Sequence, residues 1–208
     1  MMAKKHIKDG IYLVIDPAME RQMLLGQLRK ALTGAVAAVQ IWDNILPGED
    51  IKALVEQVIA LCRPFGIPVL INNRCQLVYE TGLDGVHFDA IPQDFFAENH
   101  GNIIVGVTCG NDLATIEQAV VLGADYISFC SMFPSATATS CELVSPEIVI
   151  KARELTDMPI FLAGGITPQN MATLSSLPYN GIAVVSGIMK AAEPHEAIKE
   201  YQSKLNVK

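Results

Sequence analysis

The sequence carries no excess of positive charge. Its 15 lysines and arginines stand against 22 aspartates and glutamates, for a net charge of −7 over 208 residues. General nucleic-acid binding needs a basic face, so that class of function is not expected, although a small local anion site remains compatible. Half of the residues are hydrophobic, yet no apolar run approaches the ~20 residues of a membrane span, and no membrane partner is expected. Met1 to Lys8 is basic but lacks an apolar core of the signal-peptide kind, so no signal peptide is expected. The five cysteines, Cys62, Cys75, Cys109, Cys130 and Cys141, are odd in number and show no CxxC spacing. Free thiols in a reducing cytoplasm account for them most simply, and a cytoplasmic location is expected. The early GxGxxG of a doubly wound dinucleotide-binding sheet is missing. No linker or charge block divides the chain, which predicts one domain over residues 1–208.

What is present is a regular alternation. Apolar runs of strand length occupy Ile11–Asp16, Ala37–Trp42, Pro68–Asn73, Gly85–Asp89, Ile103–Thr108, Tyr126–Ser131, Pro159–Ala163 and Gly181–Ser186. Helical spacing marks Glu20–Thr33, the stretch from Asp50 through Phe65, Cys75–Thr81, Leu113–Leu122 behind Asp112, a helix opened by Ser145-Pro146-Glu147, one starting at Thr167-Pro168, and Pro194–Leu205. Continuous apolar strands are what a sheet buried on both faces requires. The pattern predicts a (β/α)8 TIM barrel, with a doubly wound open sheet as the alternative. In a barrel, function belongs at the C-terminal ends of the strands.

Two of those ends stand out. Pro159 to Thr167 and Gly181 to Ile188 each run as a strand and then break at glycine, at Gly164-Gly165 and at Ser186-Gly187. Glycine lets the backbone approach an anion closely, and the loops after strands 7 and 8 of such barrels commonly hold phosphate. Two loops at this spacing therefore predict a phosphate site, whereas one alone would read as an ordinary turn.

The strand ends, taken in order, carry a family resemblance. Ile11-Tyr12-Leu13-Val14-Ile15-Asp16, Val39-Gln40-Ile41, Ile71-Asn72-Asn73-Arg74, Asp84-Gly85-Val86-His87, Gly123-Ala124-Asp125-Tyr126-Ile127, Phe133-Pro134-Ser135, Ala163-Gly164-Gly165-Ile166 and Ala183-Val184-Val185-Ser186 together resemble the thiamine phosphate synthase (thiamine-phosphate pyrophosphorylase) family, which includes related thiazole tautomerases. The resemblance covers nearly the whole chain. It implies a transferase of thiamine biosynthesis that joins a pyrimidine methyl diphosphate to thiazole phosphate and releases pyrophosphate with Mg²⁺. It also implies that Gly165, Val185 and Ser186, with the flanking Gly164 and Gly187, hold the thiazole or product phosphate. By the same resemblance Ser135 and Thr137 lie near the thiazole, Thr108 near the bond being made, and Gln40 and Asn72 against the pyrimidine.

The departures from the family pattern fall on one side of the reaction. Where the family reads Gln-x-Arg-x-Lys, this chain reads Gln40-Ile41-Trp42-Asp43-Asn44. Where it reads Asn-Asp-Arg, with the aspartate on Mg²⁺, Asn73 takes the place of the aspartate. Phe88-Asp89-Ala90-Ile91-Pro92-Gln93-Asp94 aligns no second metal carboxylate without a shift, and Ser135-Ala136-Thr137-Ala138 lacks the lysine of Thr-x-Thr-Lys. Departure of a diphosphate needs cations or a metal at the developing charge. Arg74 is the cation left at a matched strand end. Mg²⁺ favours anionic oxygen ligands, so its presence is in doubt; Asp89, Asp94 and Asn73 are the candidate ligands. Weak or lost turnover is the consequence expected.

Several residues keep two readings at this point. Asp16 and Asp89 are helix caps or loop bonds, or share a metal. His87 reads as a packed histidine sooner than a catalytic one. Trp42 stacks on a substrate ring or packs against a loop. Cys109 and Cys130 read as buried thiols. The tautomerase branch places a histidine in its sixth-strand motif, and Phe129-Cys130-Ser131-Met132-Phe133 has none. Two other functions stay open beside the transferase: a non-catalytic barrel that binds a phosphate ester, and an enzyme with different chemistry on a related heterocycle. The expected partner is a phosphorylated small molecule, and a homodimer is left open.

Overall fold

In the order in which the chain makes them, the elements are β1 (Gly10–Ile15), α1 (Arg21–Ala31), β2 (Val36–Ile41), α2 (Ile51–Cys62), β3 (Val69–Asn72), α3 (Cys75–Thr81), β4 (Gly85–Phe88), β5 (Ile104–Cys109), α4 (Leu113–Leu122), β6 (Tyr126–Cys130), α5 (Pro146–Leu155), β7 (Ile160–Ala163), β8 (Gly181–Val184), α6 (Ser186–Met189) and α7 (Pro194–Lys204). The computed structural model describes residues 6–92, 95, 101–135 and 142–205. The strands close into a parallel barrel in sequential order, with β8 hydrogen-bonded back to β1. This is the (β/α)8 barrel that the alternation predicts; the open sheet is not formed.

Polar residues set the helix starts. Asp50 accepts from the Ala53 N–H and Asp112 from the Ala114 N–H, both as the sequence implies. Glu20 caps α1 by accepting from the N–H groups of Gln22 and Met23. Ser145 makes no such cap; its hydroxyl donates to Glu147 instead. One expected helix shortens to a turn. After β7, Thr167-Pro168 leads into a turn and a 3-10 segment, Met171–Leu174. The Asn170 side chain accepts from the Thr167 N–H and donates to the Gly165 carbonyl, which holds the segment in a turn. Local side-chain bonds of this kind compete with the helical ladder.

Two apolar clusters divide the interior. The larger lies between sheet and helices and includes Leu24, Leu28, Val58, Ile116, Val149 and Ile198. The smaller fills the barrel itself, around Tyr12, Leu70, Ile104, Tyr126 and Phe161. The Tyr12, Tyr126 and Phe161 rings meet in pairs at centroid separations of 5.4 to 5.8 Å, within the range aromatic pairs prefer. Glycines make room for them: a Cβ on Gly181 would come within 2.6 Å of Phe161, and one on Gly106 would overlap the Tyr126 ring. At the N-terminal end, Asp84 and Asp125 accept from the N–H groups of Val69 and Val105, clasping neighbouring strands. The carboxylates in those two family-like segments are therefore structural. No helix among the described residues is long and apolar enough to cross a membrane.

Candidate active site

The three rings form the floor of a cavity of about 360 Å³ that opens at the C-terminal end of the barrel. Its wall includes Val14, Trp42, Ala163, Gly164, Ala183 and Val185, and polar groups from Gln40, Asn72, His87, Asp89, Thr108 and Ser128 reach into it. Most of these polar groups sit near or just beyond the C-terminal end of their strands, the position that barrel topology gives to function, whereas Ser128 lies in the middle of β6.

The polar groups form one connected chain. Asn72 Nδ2 donates to Asp89 Oδ1 at 3.0 Å and to the His87 carbonyl at 3.2 Å. Gln40 Nε2 donates to Asn72 Oδ1 at 3.2 Å, and the Tyr12 hydroxyl donates to Gln40 Oε1 at 2.8 Å. The Tyr12 and Tyr126 oxygens are 2.8 Å apart, and His87 Nδ1 is 2.8 Å from Tyr126. His87 Nε2 is 2.8 Å from the Thr108 hydroxyl, which lies 3.1 Å from Ser128 Oγ. Burial holds the His87 pKa down at about 4, with Asp89 opposing, so the ring is neutral at pH 7. Burial raises both tyrosines well above their ordinary value. Cys109 is a buried thiol pushed up to about 12 by burial, with Asp112 adding to the rise.

The loop after β7 has the left-handed backbone that its glycines permit. Gly164 and Gly165 take φ of 85° and 66°, where a side chain is strained. A Cβ on Gly165 would lie 2.6 Å from the Pro134 carbonyl oxygen, and one on Gly164 would overlap Ser131. Val185 precedes the first turn of α6 and makes no side-chain cap bond. Ser186 and Gly187 are exposed at the rim, and first-turn N–H groups have no partner within a helix. Lys190 closes α6 and is exposed.

The rim on the opposite side is acidic. Arg74 donates through Nε to Asp43 Oδ1 at 2.6 Å, so the one cation expected there is already paired. Asp16 Oδ1 accepts from the Ala18 N–H and from Asn44 Nδ2, which is the loop-bond reading of that residue. Asp89 is engaged on both oxygens, by Asn72 and by Asn73 Nδ2 at 2.8 Å, while Asn73 Oδ1 accepts from the Asp89 N–H. Asn73 holds φ of 59°, a left-handed conformation that asparagine tolerates. This donor set does not fit Mg²⁺ as it stands, because the carboxylate is bound to two amides and the neighbour that could help is itself an amide. No group of three or more histidine, cysteine, aspartate or glutamate side chains among the described residues could hold a metal. Asp94 and Thr137 lie outside the described residues, and Ser135 is half-buried at the edge of the β6 loop.

The cavity brings Gln40, Asn72, Thr108, Gly164 and Val185 together, with His87 and Trp42 among its lining; Asn73, Arg74, Ser135, Gly165, Ser186 and Gly187 are outside that lining. Reading the sequence misses Tyr12, Tyr126, Phe161 and Ser128, which sit inside apolar runs with no local signal of a functional face. It also misses Asp43 as the partner of Arg74.

Comparison with known proteins speaks to the family. The family model described as thiamine monophosphate synthase matches residues 11–188. The chain is 34% identical to the thiamine-phosphate synthase of Xylella fastidiosa (strain 9a5c) over 204 residues, 95% of this chain and 85% of the relative. It is 30% identical to that of Aromatoleum aromaticum over 197 residues, covering 93% and 95% of the two chains. Among solved structures, thiamine phosphate pyrophosphorylase from Pyrococcus furiosus superposes with a TM-score of 0.80 at 24% identity, over 95% of each chain; at that identity the match speaks for the fold. With a barrel whose strand ends carry the matched segments, and a family model spanning β1 to α6, the chain belongs to the thiamine monophosphate synthase family.

Proposed function

We propose that the protein is a thiamine-phosphate synthase-type transferase, joining a pyrimidine methyl diphosphate to a thiazole phosphate, with its diphosphate side altered. One observation carries the reading. A single cavity connects the glycine loop after β7 and the end of β8 to the amide and hydroxyl groups of Gln40, Asn72 and Thr108. A ligand with a phosphate at one end and a flat ring at the other matches that arrangement, and apolar walls shield the reacting ends from water.

In the reaction, the bond from the pyrimidine methyl carbon to the diphosphate oxygen breaks and pyrophosphate leaves with the electron pair. The thiazole nitrogen then attacks the resulting cation, forming the new carbon–nitrogen bond. The backbone at Gly164, Gly165, Val185, Ser186 and Gly187 anchors the thiazole phosphate, and the family resemblance assigns Ser135 and Thr137 to the thiazole. Gln40, Asn72 and Asn73 face the pyrimidine side, Thr108 sits by the new bond, and Arg74 is the cation nearest the departing diphosphate. Positions 16, 43, 74 and 89 contribute three carboxylates and one guanidinium, a poor setting for a polyanion. Mg²⁺ brought in with the diphosphate would have to work against the amide pairing of Asp89, so no step is assigned to it here. Slow turnover follows from that imbalance.

The test is direct. Incubation of the purified chain with both substrates and Mg²⁺ should yield thiamine phosphate and pyrophosphate in equal amounts. Thiazole phosphate that binds without any product would favour the non-catalytic barrel instead.

A further inference from the structure

We propose that His87 is a positioning residue whose tautomer is fixed from the far side of the barrel, and that it turns the Thr108 oxygen toward the cavity as a hydrogen-bond acceptor. The inference deepens the transferase reading, because it takes Thr108 to face the reacting atoms.

Donors and acceptors decide the direction, one link at a time. The chain begins at a group that can only accept, the His87 carbonyl, with the Asp89 carboxylate beside it. Asn72 must turn its NH₂ toward both, which leaves its oxygen facing Gln40. Gln40 must then donate to Asn72, so its own oxygen faces Tyr12. Tyr12 spends its one proton on Gln40 and can only accept from Tyr126. Tyr126 spends its proton on Tyr12 and can only accept from His87 Nδ1. The His87 ring is buried and its two nitrogens meet hydroxyl oxygens, so it is a neutral imidazole with one proton; Nδ1 holds it and Nε2 is a bare acceptor. Two hydroxyls face that nitrogen, Thr108 at 2.8 Å and Ser128 at 3.5 Å, and the shorter contact makes Thr108 the donor. Ser128 occupies one remaining lone-pair direction of Thr108 at 3.1 Å, and the cavity lies in the other.

The consequence is chemical. An oxygen whose proton is tied behind it presents negative charge to the cavity, and its donation to imidazole enriches it further. That suits a positive charge developing on the pyrimidine methyl carbon, and it disfavours a ligand that offers an acceptor at the same place. The opposite tautomer would free the Thr108 proton to swing into the cavity and reverse that preference. Tyr12 does not touch His87 or Thr108 in the chain, yet it decides which way Thr108 points.

The experiment uses the full chain labelled with ¹⁵N and long-range ¹H–¹⁵N correlation of the histidine rings, with His87 assigned by the signal lost in His87→Gln. At pH 7 the expected result is a protonated Nδ1 and an unprotonated Nε2; a protonated Nε2 overturns the proposal. In Tyr12→Phe, the Tyr126 proton has no acceptor except His87 Nδ1, so the ring should switch to the Nε2-protonated form. The kcat should fall about tenfold with KM for thiazole phosphate unchanged. An unchanged tautomer would overturn the relay. A switched tautomer with unchanged kcat would overturn the positioning role. Should Tyr12→Phe fail to fold, Tyr126→Phe removes the acceptor of Nδ1 directly and predicts the same switch. Thr108→Val separates the two readings: unchanged turnover there would sink the transferase role of Thr108 whatever the tautomer shows, while Thr108→Ser should restore most of it.

Discussion

At the scale of single residues, the site is asymmetric in charge. Arg74 is the only basic residue at the matched strand ends, and Asp43 already holds it. Both side chains are partly exposed, so the pair adds little to stability, about 0–1 kcal/mol. Its effect on ligand binding is another matter, because a paired guanidinium attracts an incoming polyanion less. Asp43→Asn should free Arg74 and tighten inorganic pyrophosphate about two- to fivefold, the range that such pairs span in energy, with Tm little changed. Calorimetric titration checks it, and unchanged affinity would mean that Arg74 does not meet the diphosphate. The resemblance sets Asn73 where the family pattern has an aspartate and sets Trp42, Asn44 and Ala138 where it has cations. It does not show Asp43 pairing with Arg74, because an acidic residue on a loop has no local signature of its partner 31 positions away.

At the scale of elements, the left-handed glycine turn after β7 is the most legible local feature. The Gly164-Gly165 pair has a backbone reason that needs no tertiary information. Gly165→Ala should test that reason. Its φ of 66° and the 2.6 Å approach of a Cβ to the Pro134 carbonyl force the loop to move. KM for thiazole phosphate should rise at least tenfold, about 1.4 kcal/mol, with a smaller change in kcat. A KM within twofold of wild type would place the phosphate elsewhere. The element after β7 was not legible: Thr167-Pro168 looks like a helix start, but Asn170 turns the chain back on Gly165. The floor was not legible either. Tyr12, Tyr126 and Phe161 lie in strands that are apolar on both faces, so periodicity gives no hint of which residues fill the barrel. Only the glycines opposite them, Gly106 and Gly181, mark the space, and that pairing is set by register.

For the whole molecule, the alternation of strands and helices specifies the barrel, and the barrel brings Gln40, Asn72, His87 and Thr108 into one buried polar chain. That chain makes stability depend on acidity. His87 is depressed to about 4 in the fold, against about 6.5 unfolded. Between those values the unfolded chain binds the extra proton, so stability rises with pH there, is lost as pH falls, and is flat above pH 7 as far as this group is concerned. Urea midpoints at pH 7 and pH 5 should therefore differ more for the wild type than for His87→Gln. An equal difference in the two would assign the acid sensitivity to other groups.

The central claim is that this member of the family keeps its thiazole phosphate side and has a weakened diphosphate side. Steady-state kinetics with each substrate varied separately, beside a relative that carries Gln-x-Arg-x-Lys and Asn-Asp-Arg, tests it most directly. The account predicts thiamine phosphate as product and an ordinary, saturable response to thiazole phosphate. It also predicts a kcat/KM for the diphosphate at least ~10²-fold below the relative, since removing even one preorganised charge-stabilising group commonly costs that much. A kcat/KM for the diphosphate equal to that of the relative would contradict it.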